Sequence, residues 1–176
     1  MIIRAATPDD ALPIATIHVT AWRVAYQGIV PDEFLRSLSI DERHQRWQKT
    51  LQNDSPTTWV AQEGKSVLGW LSAGKSRDDD AGPSTGEIWA VYIDPDHWAK
   101  GVGRALCDLA VEALQQRGFT EATLWVLAEN ERAIRFYRAN GFIQDHGKEQ
   151  RIQRGGKDLW EIRMRKAFET PAASVL

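Results

Sequence analysis

The sequence predicts an α/β fold in which a central mixed, mostly antiparallel sheet is flanked by helices. Three observations predict it. The elements run strand, helices, three strands, helix, strand, helix, two strands. A short Glu63-Gly64-Lys65 connection makes its flanking strands antiparallel neighbours. A strand-helix-strand unit from Glu87 to Leu127 then sits between that first group and a final strand pair. At 176 residues the chain suits one hydrophobic core, and nothing in it reads as a linker to a second. The expected domain is residues 1–166, followed by a tail over 167–176.

Ile2 to Ala6 reads as the first strand. Thr7 is a helix N-cap, with Pro8 at the first turn and acids behind it. Leu12, Ala15, Val19, Trp22 and Tyr26 follow at spacings of three and four, so they form one apolar face, and Gly28 ends that helix. Pro31 to Leu38 and Asp41 to Leu51 are shorter helices. Asn53 to Pro56 is a turn. Thr57 to Gln62 and Val67 to Ala73 are the hairpin strands. Residues 74–86 are rich in Gly, Pro, Asp and Ser and read as an exposed, mobile loop, with Asp78-Asp79-Asp80 solvated. Glu87 to Ile93 is apolar on both sides, as a central strand should be, and stops at Asp94-Pro95. Gly101 to Arg117 is a helix whose stripe is Val102, Leu106, Leu109, Ala110, Ala113 and Leu114, with Gly118 as its stop. Thr120 to Leu127 is a buried strand, Asn130 to Asn140 a helix closed by Gly141. Phe142 to Gln150 and Lys157 to Arg165 are the last strands, joined through Gly155-Gly156.

Composition narrows the function classes. Apolar residues make up 43% and charged residues 26%, and a net charge of −2 supplies no basic field for nucleic acid or an anionic membrane. The apolar runs are too short to span a bilayer, and no leader pattern follows Met1. The single cysteine, Cys107, makes a reducing cytoplasm the default compartment, and it reads as a buried thiol. His18, His44, His97 and His146 lack metal-ligand spacing, so no metal is expected. Eight tryptophans are the oddity; some must be core and others can line a pocket.

The most informative segment is Trp98-Ala99-Lys100-Gly101-Val102-Gly103-Arg104, between a buried strand and a long helix. The first turn of a helix has free N–H groups and the positive end of the dipole. Glycine lets backbone approach an anion, so this turn can hold a phosphate or pyrophosphate, with Lys100 and Arg104 adding charge. The turn alone also fits a glycine-rich helix start with packing duties. A dinucleotide fingerprint would need a third glycine where Leu106 stands, and a P-loop would need Gly-Lys-Ser or Gly-Lys-Thr.

In this order of elements the segment resembles the acetyl-CoA pyrophosphate motif of the GNAT superfamily, with Gly101 and Gly103 in place and Trp98 where Arg or Gln is usual. Asn130 through Phe142, with Tyr137 seven residues after the Asn and Gly141-Phe142 at the end, resembles the downstream block of the same family. Ala21-Trp22-Arg23 with Tyr26 to Pro31 resembles a recurrent bacterial subgroup. The resemblance implies the GNAT fold, with the sheet splayed between the fourth and fifth strands and acetyl-CoA in the gap. It implies that the backbone of Val91, Tyr92 and Ile93 pairs with the pantetheine arm. Residues Trp98, Ala99, Lys100, Gly101, Val102, Gly103 and Arg104 would wrap the pyrophosphate, and Asn130 would hydrogen-bond the pantetheine.

It also implies roles in the chemistry. Tyr137 is the candidate general acid for the thiolate, the other reading being a core tyrosine beside Phe136. Glu87 is the candidate general base, directly or through water, the other reading being a strand-end glutamate. Trp22, Tyr26 and Trp89 are candidates for the acceptor pocket, where an aromatic wall can hold a cationic amine, or else core residues. The expected activity is transfer of acetyl from acetyl-CoA to a primary amine of a small molecule or amino acid. A protein N-terminus or lysine is the alternative acceptor, and a non-catalytic acyl-CoA sensor the alternative of another class. A homodimer is expected from the resemblance, with no nucleic-acid or membrane partner.

Overall fold

The computed structural model describes residues 1–53 and 56–168. Seven strands form one sheet: β1 (Ile2–Ala5), β2 (Thr57–Glu63), β3 (Ser66–Lys75), β4 (Thr85–Ile93), β5 (Glu121–Leu127), β6 (Ile143–Arg154) and β7 (Lys157–Ala167). Their order is β1-β2-β3-β4-β5-β7-β6. Every neighbouring pair is antiparallel except β4 and β5, which are parallel and joined by the crossover helix. This is the mixed, mostly antiparallel sheet that the sequence predicts. The expected tail begins later than 167: Ala167 closes β7 and Phe168 N–H donates to the Thr120 carbonyl at 2.8 Å, while residues from 169 onward, like part of the expected turn at 53–56, lie outside the described residues.

Five helices cover the sheet: α1 (Ala11–Ala25), α2 (Asp32–Ser37), α3 (Ile40–Thr50), α4 (Val102–Gln116) and α5 (Glu131–Ala139). A 3-10 turn at Pro8–Asp10 precedes α1, with a Thr7/Asp10 capping box. The apolar face expected on α1 holds at Ala15 and Val19, which are buried, but not at Leu12, which is exposed; Ala11, Ile14 and Ile17 are buried as well. Ala11, Ile14, Ala15 and Ile17 pack with Trp47, Val60 and Trp70 on one face of the sheet. On the other face Leu106, Cys107, Ala110 and Leu114 of α4 pack against Leu71, Ile88, Leu124 and Met164. Among the described residues no helix is long and apolar enough to cross a membrane.

A third cluster determines where the site lies. Val30 and Leu35 meet Leu127 and Leu159, with Trp22, Tyr26, Phe34 and Ile152 around them. The β6–β7 turn docks on α2 so closely that a Cβ on Gly155 would lie 2.6 Å from the Phe34 Cβ. The hairpin tip and the α1–α2 corner thus form one wall on the α1 face.

The segment between β3 and β4 is shorter than expected, because Gly74, Lys75, Thr85 and Gly86 are strand residues. It is also tied down rather than loose. Arg163 of β7, 7% exposed, donates to Asp78, Asp80 and Asp145 at 2.7–3.1 Å. Trp125 Nε1 donates to the other Asp78 oxygen at 2.9 Å. Lys148 adds a second cation on Asp80 at 2.8 Å. The acids read from sequence as solvated are the partners that a buried guanidinium requires.

Candidate active site

Parallel pairing of β4 with β5 covers only Thr85–Glu87 against Glu121–Thr123. Past that point β3 still pairs with β4 as far as Ile93, and β7 with β5 as far as Leu127. The two strands diverge, and the facing edge of β4 from Ile88 onward has no strand partner. A cavity of about 770 Å³ occupies the gap, lined from both faces of the sheet. A bulge between Ser72 and Ala73 shifts the register opposite Trp89. It puts Glu87, Ala90 and Tyr92 on the α1 face and leaves Ile88, Val91 and Ile93 on the α4 face, which regular alternation would not do.

One end of the cavity is the turn into α4. The first helical hydrogen bond runs from Ala105 N–H to the Gly101 carbonyl at 3.0 Å, so the preceding amides have no partner within the helix. Gly101 sits at φ +82° and Ala99 at φ +58°. Two left-handed residues with one residue between them bend the chain sharply just ahead of the free helix amides, where an anion can be received. Ala99 pays about 1 kcal/mol or more for that geometry, since a side chain disfavours it. The two glycines serve different needs. A Cβ on Gly101 would meet nothing within 4 Å, whereas one on Gly103 would lie 3.1 Å from the Phe136 ring. Gly101→Ala is therefore expected to weaken CoA binding through backbone strain of roughly 1 kcal/mol. Gly103→Val is expected to cost about 1–3 kcal/mol of fold stability by overpacking. Calorimetry with CoA and urea unfolding separate the two effects.

Trp98 explains the missing Arg or Gln. Its Nε1 donates to the Ile93 carbonyl at 2.8 Å, fastening the turn to the end of β4. The Arg132 guanidinium lies over the indole ring, 3.0 Å from its centroid. Charge absent from position 98 is thereby supplied in space by α5. Ala99, Gly101, Val102, Gly103 and Arg104 line the cavity, but Lys100 does not and is exposed. Arg104 is exposed too, 3.8 Å from Asp108. Asn130 lines the cavity, yet its Oδ1 is engaged as the α5 N-cap, accepting from Ala133 N–H at 3.1 Å. Only its NH₂ is left to donate to a ligand.

Tyr137 is 8% exposed, lines the cavity and makes no hydrogen bond through its hydroxyl to a described residue. Burial raises its phenol well above the ordinary value, so it holds its proton through the neutral range. Cys107 behind it is buried, and burial pushes its thiol up to about 12, which keeps it protonated and inert.

On the α1 face, the Tyr26 and Tyr92 hydroxyls lie 3.4 Å apart, and burial raises both phenols. Trp22 packs edge-on to Tyr26 at 4.8 Å. His18 stacks on Tyr92 at 4.9 Å, outside the cavity lining. Burial, with Arg43 adding to it, depresses His18 from 6.5 to about 3. Below pH ~6.5 the unfolded chain binds a proton that the folded chain refuses until about pH 3, so stability falls with pH across that window. His18→Phe is expected to flatten this acid limb in urea-unfolding curves taken from pH 7 to pH 4.

Glu87 is 1% exposed and lines the cavity at the apex of the gap. Both its oxygens are engaged by Arg77: one by the terminal guanidinium nitrogen, the other by the backbone N–H at 2.9 Å and Nε at 3.2 Å. Arg77 also lies over Trp89, 4.3 Å from the ring centroid, and Trp89 Nε1 donates to Lys75 O at 3.2 Å. All three acceptor candidates, Trp22, Tyr26 and Trp89, line the cavity. Sequence reasoning missed Arg77, Arg132, Gln150, Arg154 and Glu161, which line it as well. Strand alternation could have grouped Gln150 with Arg154, but not assigned the face they occupy.

A sheet opened between parallel strands, with free helix amides at one mouth and a proton-bearing phenol at its middle, has the architecture of an acyl-CoA-using transferase. Residues 18–142 match the model of the Acetyltransferase (GNAT) family, and the chain belongs to that family. It is an acetyltransferase. A relative from Bacillus subtilis (strain 168), "Uncharacterized N-acetyltransferase YuaI", is 36% identical over 161 residues, spanning 91% of this chain and 89% of that one. "Probable N-acetyltransferase Rv2775" of Mycobacterium tuberculosis is 26% identical over 145 residues, spanning 81% and 80%. Among solved structures, Salmonella typhimurium yncA "with its cofactor Acetyl-CoA" superposes with a TM-score of 0.74 at 26% identity, covering 98% of this chain and 96% of that one. These relations and the fit of the cradle support acetyl-CoA as the acyl donor.

Proposed function

We propose that the enzyme transfers acetyl from acetyl-CoA to a primary amine of a small molecule or amino acid, by direct attack with both substrates bound. The observation that carries this reading is the meeting of two half-sites in one cavity. The amide cradle and the open edge of β4 suit an extended phosphorylated thioester. The α1 face opposite offers aromatic and carboxylate groups to an amine.

The neutral amine nitrogen attacks the thioester carbonyl carbon, and the carbon–sulfur bond breaks. Free N–H groups on the β4 edge near Val91 stabilise the oxyanion. The amine's proton leaves through water towards Glu87, whose oxygens are held by Arg77, so a relay fits better than direct contact. The departing sulfur takes the Tyr137 proton, which completes CoA-SH and the amide. Val91, Tyr92 and Ile93 receive the pantetheine arm on their open edge, with Asn130 donating from α5. Residues 98–104, joined by Arg132, hold the pyrophosphate. Residues 1–166 make one catalytic domain on this reading. The cytoplasm follows from the single cysteine, and a homodimer from the family resemblance.

The test is release of free thiol from acetyl-CoA against a panel of primary amines, with CoA binding measured separately by calorimetry. Amine-dependent thiol release is the expected result. CoA binding without turnover on any amine, peptide N-termini included, would replace catalysis with a sensor.

A further inference from the structure

The acceptor half of the cavity has two unspent charges. Glu161 on β7 stands opposite Leu127, where the gap is wide, and lines the cavity. Unlike Glu87, it has no cationic partner among the described residues. Its one hydrogen bond is from Gln150 Nε2 at 2.8 Å, which leaves lone pairs of the carboxylate open. Its charge reaches both buried phenols of the α1 face, disfavouring their ionisation. Tyr137 in turn acts electrostatically on Tyr26 from the α5 side. Glu161 and these phenols line the same cavity.

The second charge is Arg154. It follows Gln150 and Ile152 at alternate positions of β6, the face that lines the cavity. Among the described residues its one hydrogen bond is to the carbonyl of neighbouring Gln153, at 2.9 Å. Arg43 of α3 is half-buried and makes no ion pair among the described residues. Burial lowers its pKa, and Arg46 and Arg154 lower it further as like charges. Glu42 acts on Arg43 from the same helix, whereas Arg154 has no ion pair among the described residues and leaves a cavity-lining cation for an incoming anion.

The geometry points to a two-pole acceptor subsite: Glu161 receives the acceptor's amine and Arg154 receives an anionic group on the same molecule. The acceptor class is thus an amino acid or another small amine bearing a carboxylate or similar anion, which narrows the function proposed above and rests on it. The ammonium docks on Glu161 and loses one proton to water before its nitrogen attacks the thioester. Arg154, towards the hairpin tip, orients the other end.

The experiment compares matched acceptors, free amino acids against their amides and decarboxylated amines, on wild type, Glu161→Gln and Arg154→Gln. CoA binding by calorimetry serves as the folding control. Wild type is expected to prefer the acids. Glu161→Gln should raise KM for every amine by roughly 10- to 100-fold, the size of a lost hydrogen bond to a charged group. Arg154→Gln should raise KM for the acids by a similar factor and leave the amides unchanged, a selectivity that loose folding would not produce. Equal use of acids and amides, or wild-type KM values in Glu161→Gln, overturns the subsite. Absence of turnover on every amine, with CoA binding intact, instead overturns the transferase reading itself.

Discussion

Replacing Tyr137 by Phe is expected to lower kcat by roughly 100-fold or more while leaving CoA affinity unchanged. The phenol is buried at the cavity wall and hydrogen-bonds to no described residue, so removing its oxygen orphans nothing among them. Its ring contacts with Phe136 at 5.3 Å and Phe142 at 6.0 Å survive in the variant. What is lost is a proton donor that burial holds in its protonated form. The sign of that shift adds a second expectation. A raised phenol stays protonated above pH 10, so Tyr137 contributes no fall in kcat on the alkaline side of neutrality. Steady-state kinetics from pH 6 to pH 10, with calorimetry on CoA, test both. A wild-type kcat in Tyr137→Phe would remove the acid role and leave sulfur to depart as the free thiolate.

The second large effect is structural. Arg163→Met is expected to destabilise the fold by about 1–3 kcal/mol, because it removes the cation shared by three partly exposed carboxylates. Asp78, Asp80 and Asp145 come from the β3–β4 connection and from β6, so this one side chain fastens three segments. Its loss also frees the segment that carries Arg77, and with it the grip on Glu87. Activity should fall along with the urea midpoint. Asp79→Asn, in the same acidic run but outside the network, is the control and should stay within about 0.5 kcal/mol of wild type. Similar midpoints for the two variants would mean that the network is solvated and contributes little.

Much of this was legible in the sequence, for physical reasons that differ by residue. Helix periodicity and glycine stops located α4 and α5 to within a residue or two, since those signals are local. Gly101 and Gly103 marked the cradle, although only coordinates show that one sets a backbone angle and the other makes room for Phe136. Trp98 read as a departure because its compensation, Arg132, lies on another element. The Asp78-Asp79-Asp80 run read as solvent because its partner is a single arginine far along the chain. Glu87 was found, but Arg77 was not, because Arg77 lies past the end of β3, where strand alternation does not say what it touches. Glu161 escaped for the same reason: alternation pairs residues along a strand without saying which side holds the ligand.

The open edge of β4 carries a consequence for the life of the protein. Its amides and carbonyls lack a neighbouring strand past Glu87, so on the function proposed above a bound pantetheine would complete the sheet as a surrogate strand. Hydrogen exchange at Val91 to Ile93 should slow when CoA is added, and the melting temperature should climb with CoA concentration. Persistence of the folded chain would then follow the supply of its own donor.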